Sequence, residues 1–419
     1  MKIAMIGPSY PFRGGLSLHT TLLCRYLRKD HDVSFYSFKR QYPAWLFPGK
    51  TDRDNSSEPL QEPGVEHLLD SLNPWTWLKV VRRIVGDSAD LVIIPWWTFF
   101  WAPQFLTIAL LLRFWSKARL LFICHNVFDH DSRRLSRICA RTVLPRGDLF
   151  IVHSEEDFAR LSAFVNPDKI TLGFLTSNES PVESAPSQAD AKRRLGLSGD
   201  TLLFFGFVRP YKGVPHLLQA LPIIRKERDV TLLLVGESWA GDITVERQIR
   251  ELRIEKHVRR VDGYVPNEEV TWYFAAADLV VLPYVSATGS GVVQTAFTFD
   301  RPVVATRVGS LPLTVEDGRT GYLGEPGDVS ALADAVLRFF REGKSPEFIE
   351  NIKQAKHQFS WERFVQIVEE ATAGTGRPDN KARWRRVIEP RTQPEGSRSG
   401  LPRSDARSRV SGTTQRSGG

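Results

Sequence analysis

The sequence predicts an α/β protein built from two doubly wound parallel sheets in tandem. The chain has 419 residues, 42% hydrophobic and 25% charged, enough to bury two sizeable cores. Short β-branched apolar runs alternate with longer stretches of helical period, which implies parallel strands joined by crossover helices. That alternation stops in a polar, Ser/Pro-rich stretch at 176–190, which reads as an interdomain linker, and then restarts.

In chain order, MKIAMIGPSYPF holds a five-residue apolar run, too short for a secretory leader and suited to a buried first strand at Lys2–Ile6. A glycine-bearing turn, GPSYPFRGGLSLHT, leads into a helix over Leu16–Arg28. Further strands are expected at Asp32–Ser37, Leu91–Pro95, Leu120–Cys124 and Leu149–Val152, with helices at Trp75–Val85 and Ser132–Val143. The 22 uncharged residues at 91–112 have the length of a membrane span. Pro95 and Pro103 interrupt them, and their first part is β-branched and aromatic, so they divide into a strand, an aromatic loop at 96–101 and a helix from 102 to 115.

Past the linker, strands are expected at Thr201–Phe205, Val230–Val235, Val258–Val261, Leu279–Leu282 and Pro302–Thr306. Helices fall between and after them at Pro215–Arg228, Ile243–Leu252, Asn267–Ala276, Ser290–Phe299 and Ser330–Glu342. The domains are drawn at 1–180 and 181–358, a helix at 359–372 returns to the first domain, and 373–419 form a disordered tail. Two such sheets face each other across a cleft, and ligands lie at the carboxyl ends of the strands.

The net charge of +8 suggests nucleic acid, but residues 371–419 hold 11 Lys/Arg against 4 Asp/Glu, so the basicity belongs to the tail. Rich in Arg, Ser, Gly and Pro, the tail cannot bury enough apolar surface to fold and reads as a solvated extension, with no specific nucleic-acid partner. Three cysteines, none in a CxxC pair, indicate a reducing, cytoplasmic setting without structural zinc.

Gly14 and Gly15 stand just before a helix, whose free N–H groups and dipole suit phosphate, although a plain turn would also need two glycines. The GxGxxG fingerprint is absent, which disfavours a nicotinamide-dependent oxidoreductase. In GFVRPYKGV, Arg209 and Lys212 follow a strand end, where fixed positive charge can absorb the charge of a departing diphosphate. A small-residue loop from Ser286 to Gly291 opens a second helix near Ser290, again ready for an anion.

GG near residue 15, HN at 125–126, GFVRPYKG, VDGYVP, AAADLVVLPY, RPVVATRVGSLP and VEDGRTGYL occur in an order that resembles the family 4 glycosyltransferases of GT-B architecture. The resemblance covers roughly residues 1–372 and is densest over 201–325. It implies transfer of a sugar from a nucleotide diphosphate donor, with retention of configuration. No DxD-type metal site is evident in either nucleotide-facing loop, so no metal or other cofactor is expected. Gly14 and Gly15 match the turn that meets the donor diphosphate, His125 the cleft histidine beside the transferred sugar, and Arg209 and Lys212 the basic pair. Tyr264 and Val265 fall where the nucleobase pocket lies. The family's two donor-site glutamates are missing: their positions are Ala287 and Thr295, and no carboxylate occurs from Ser286 to Phe299. Ser286, Thr288, Ser290 and Gln294 are then the side chains left to hydrogen-bond the donor, with the Ser290, Gly291 and Val292 amides facing phosphate.

The first domain is the acceptor side of such enzymes. Its aromatic stretch offers Trp96, Trp97 and Trp101, which could touch an anionic membrane surface, stack on sugar or pack beneath the sheet. The resulting expectation is a cytoplasmic enzyme, peripheral on the inner face of the membrane, that glycosylates a glycan or a polyprenyl- or lipid-linked acceptor in surface polysaccharide or glycolipid synthesis. The alternatives are a sugar-nucleotide epimerase and a non-catalytic GT-B binding protein.

Overall fold

The computed structural model describes residues 1–374 except 44, 46, 48, 129–132, 178–184 and 239–242, so the expected disordered tail lies almost wholly outside the described residues. The first domain runs β1 (Lys2–Ile6), α1 (Gly15–Leu27), β2 (Asp32–Arg40), β3 (Val65–Asp70), α2 (Pro74–Gly86), β4 (Leu91–Trp96), α3 (Ala102–Trp115), β5 (Arg119–Cys124), α4 (Arg133–Val143), β6 (Leu149–Val152), α5 (Glu155–Ser162) and β7 (Ile170–Leu172). The second comprises α6 (Gln188–Leu195), β8 (Asp200–Phe205), α7 (Val214–Arg225), β9 (Val230–Val235), α8 (Ile243–Glu251), β10 (Val258–Val261), α9 (Asn267–Ala276), β11 (Leu279–Leu282), α10 (Gly291–Thr298), β12 (Val303–Thr306), α11 (Leu311–Thr314), β13 (Gly321–Gly324), α12 (Val329–Glu342) and α13 (Ser345–Ala355). A final helix, α14 (Trp361–Thr372), follows.

The first sheet has the order β3-β2-β1-β4-β5-β6-β7 and the second β10-β9-β8-β11-β12-β13, all pairings parallel. Strands in the middle of both sheets are covered on both faces, so they read as the continuous apolar runs that mark them in sequence. The three strands that sequence patterning does not find, β3, β7 and β13, are all edge strands. An edge strand has fewer neighbours to satisfy, and VEHLLD and GYLG carry correspondingly weak patterns.

The uncharged stretch at 91–112 resolves into β4, a short turn and α3. No helix among the described residues is long and apolar enough to cross a membrane. Trp361, Phe364, Val365 and Val368 of α14 pack with Ile3, Met5 and Leu22 of the first domain. Lys29 and His31 hold the helix there through Glu362 and Glu369.

Between β2 and β3, the described residues of the segment 41–64 form a strap that reaches the second domain. The Lys50 N–H donates to Glu237 (2.8 Å), Ser57 donates to Glu268 (2.9 Å), and the Asn267 N–H donates to Ser56 (2.9 Å).

Candidate active site

A cavity of about 860 Å³ lies between the carboxyl ends of the two sheets, roofed partly by the strap and partly by Trp361. Two helix N-termini open into it. Gly14, in the left-handed region (φ 103°), precedes α1 without a side-chain cap, and a Cβ on Gly14 or Gly15 would meet nothing within 4 Å. Opposite, Ser290 caps α10 by accepting the Val292 N–H (3.3 Å), and Gly291 is likewise open. Both termini therefore offer backbone donors and positive dipole ends to one space.

Lys212 lines the same space, its Nζ lying 3.7 Å from the centroid of the Tyr284 ring. Burial pushes its pKa down to about 8, with Arg209 contributing in the same direction. The loop is pressed onto a strand end. Gly213 has φ 67°, and a Cβ there would lie 1.8 Å from the Pro283 carbonyl, so no other residue fits. The Tyr284 hydroxyl is 3.2 Å from Ser290 Oγ, so a single buried ring orders both the lysine and the α10 cap.

His125 follows β5, its backbone N–H bonded to the Trp96 carbonyl (2.8 Å). Its ring packs against His19 (centroids 4.7 Å apart) and His153 (5.0 Å). Burial first, and the neighbouring imidazoles second, hold His125 well below the ordinary histidine range; His19 falls to about 3 and His153, through burial, to about 4. All three are neutral at pH 7, and the buried Nε2 of His125 has no hydrogen-bond partner among the described residues. Thr288 donates to Asn126 Oδ1 (2.6 Å), docking the small-residue loop of the second domain on the HN turn of the first.

Residues 13–172 match the description "Glycosyltransferase Family 4" and residues 199–342 match "Glycosyl transferases group 1". The chain belongs to the family 4 glycosyltransferases.

Among this family's curated members it is similar to D-inositol 3-phosphate glycosyltransferase of Corynebacterium glutamicum (strain R), 27% identical over 56% of this chain and 59% of the relative. The enzyme of that name from Corynebacterium diphtheriae (strain ATCC 700971 / NCTC 13129 / Biotype gravis) is 31% identical over 50% of this chain and 51% of the relative. The chain thus spans only about half to three-fifths of the length of these two relatives. Sucrose-phosphate synthase from Thermosynechococcus elongatus shares the fold with a TM-score of 0.66 at 20% identity, covering 89% of this chain and 99% of that one. Anabaena HepE, solved in complex with UDP, does so with a TM-score of 0.67 at 19% identity, covering 89% and 100%. The two facing domains are the GT-B arrangement.

In this family 4 chain, Gly14, Gly15, His125, Lys212, Tyr264, Val265, Ser290, Gly291 and Val292 all line the one cavity. Three expectations require correction. Gln294 is 2% exposed and sits in the core with its Oε1 unpartnered, because the helical period turns 291, 292, 295 and 298 toward the cleft and 293, 294, 296 and 297 inward. Trp96 and Trp101, each 1% exposed, are core residues rather than an acceptor surface, their indole N–H groups bonded to the Val127 and Gln41 carbonyls. Only Trp97 of the three reaches the cavity. Arg209 stands outside the lining, its guanidinium 5.7 Å from the Tyr211 ring.

The former glutamate positions divide as well. Ala287 is buried at 5% exposure, while Thr295 lines the cavity. Sequence reasoning missed Arg13 and Glu237, a buried ion pair across the cleft whose guanidinium also lies 4.9 Å from the Tyr264 ring. Their only sequence signal is position, each in a loop just after a strand.

Proposed function

We propose that the protein transfers a sugar from a nucleotide diphosphate donor to a glycan or lipid-linked acceptor, with retention, in surface polysaccharide or glycolipid synthesis. The observation that carries the reading is one cavity holding a semi-buried lysine without a carboxylate partner among the described residues, together with two open helix N-termini. As the glycosidic bond breaks, negative charge grows on the departing diphosphate. Lys212 and the N–H groups at Gly15 and Gly291 meet that charge from fixed positions, so little reorganisation is required. Arg209 adds positive potential from just outside the wall.

His125, kept neutral and lining the cavity, would orient or hydrogen-bond the reacting sugar. Tyr264 and Val265 would hold the base. Thr295 supplies a hydroxyl where relatives with the family pattern have a carboxylate, which suits a neutral contact to the donor. No metal is assigned a role in this scheme, and a chelator is expected to leave turnover unchanged. The acceptor is read as membrane-borne, which makes the protein peripheral on the cytoplasmic membrane face.

The test is saturation-transfer NMR with UDP-, GDP- and ADP-sugars, UDP-sugars first because HepE was solved with UDP. Selective binding of one donor, lost in Lys212→Ala, is the expected result. Silence across the panel would instead favour a non-catalytic protein, for which the missing glutamates argue.

A further inference from the structure

The outer surface of the first domain has an unusual distribution of apolar and basic groups. Helix α3 packs between α2 and α4 and buries Phe105, Ile108, Ala109 and Leu112. Its outward side is not polar, as a surface helix requires. Leu106 and Leu111 are half-buried against the core, and at the carboxyl end Phe114 and Trp115 are 80% and 47% exposed. Alongside, α4 presents Leu135 (51%) and Ile138 (63%). The cations flank this strip, with Lys79 and Arg82 exposed on α2 and Arg134, Arg137 and Arg141 exposed on α4.

At the carboxyl end of α3, beside Phe114 and Trp115, lies a hollow of about 430 Å³ lined by Arg113, Lys117, Arg119, Arg146 and Lys169. Its one carboxylate, Asp148, already accepts the Leu120 N–H (2.9 Å). None of Arg113, Lys117, Arg146 and Lys169 pairs with a carboxylate among the described residues. Arg119 donates to the Thr372 carbonyl, so the end of α14 lies at the edge of this hollow. The segment 371–419 that begins there holds 11 Lys/Arg against 4 Asp/Glu.

We propose that the α2–α3–α4 face and the basic hollow beside it dock on an anionic phospholipid bilayer. Phosphate headgroups would fill the hollow and neutralise the flanking arginines, while Phe114, Trp115, Leu135 and Ile138 enter the acyl boundary. One occupant supplies both chemistries, in the layered order that the face presents. Trp97, which lines the cavity, stands at the other end of α3, about 20 Å from the hollow. The proposal deepens the reading of a membrane-borne acceptor and rests on it for its purpose, whereas the binding itself involves no substrate.

The test is flotation of the full chain with vesicles of phosphatidylcholine alone or with about 30% phosphatidylglycerol, at about 0.15 M salt. Wild type is expected to float at least about tenfold more with the anionic vesicles. Phe114→Ser with Trp115→Ser, and separately Arg113→Glu with Lys117→Glu, should each lower that by about tenfold while melting temperature and nucleotide-sugar binding stay unchanged. Three results overturn the proposal: no flotation of wild type, equal flotation of wild type and both variants (binding by the tail), or a wild-type dimer in light scattering that these variants abolish. Intact flotation without donor binding would sink the transferase reading and leave this one standing.

Discussion

Lys212 carries a charge that its surroundings make conditional. Burial lowers its pKa from 10.5 to about 8, so it is cationic below pH 8 and loses its proton as pH rises through that value. A bound diphosphate favours the charged form. Donor affinity should therefore be flat from pH 6.5 to 7.5 and fall above 8, by at most about tenfold per pH unit. Lys212→Gln should bind more weakly at every pH and show no such slope. Calorimetric titration across the range checks both, and a flat wild-type profile would contradict the assignment.

The histidine cluster gives a second dependence, of opposite direction. His153 has its folded pKa depressed to about 4 against 6.5 for the free side chain. Its contribution is complete above about pH 6.5 and is lost as pH falls through 4, amounting to about 2 kcal/mol by pH 5. His153→Phe, stacked in the same place on Phe364, should narrow the gap between the melting temperatures at pH 5 and 7.5. An unchanged gap would mean that the cluster does not govern acid stability.

At the scale of elements, α10 offers the cleanest separation of binding from folding. A Cβ at Gly291 meets open space, so Gly291→Val should melt within a few degrees of wild type. The side chain would project into the cavity at the helix terminus and weaken donor affinity by about tenfold, the worth of one charge-assisted contact. Equal affinity would remove α10 from the donor site. The same helix shows the limit of sequence reading: its place and its cap at Ser290 are legible in SATGSGVVQTA, but which of Gln294 and Thr295 faces the cleft depends on a rotation of about 100° per residue set by packing.

For the whole molecule, the Arg13–Glu237 pair and the strap join the two domains. Removing one partner of a buried pair costs about 3–5 kcal/mol when the remaining charge cannot escape. Each domain here has its own core, so the charge can reach water if the cleft opens. Arg13→Leu is accordingly expected to raise the radius of gyration in small-angle scattering while the main unfolding transition moves by less than that penalty. An unchanged radius with a full loss of stability would show the domains to be locked by other contacts.

The sequence by itself determined the two sheets, the positions of their central strands along the chain, the glycine turns and the family, because these depend on local periodicity and on the order of short motifs. Tertiary structure alone decided the rest. It buried Trp96 and Trp101 as core while exposing Phe114 and Trp115 at the far end of the following helix, since a helix and a strand each give an apolar run two sides. It gathered His19, His125 and His153 from three different elements into one cluster. It also set Arg13 against Glu237, 224 residues apart, a pairing that no local pattern records because it forms only when two separately folded sheets face each other.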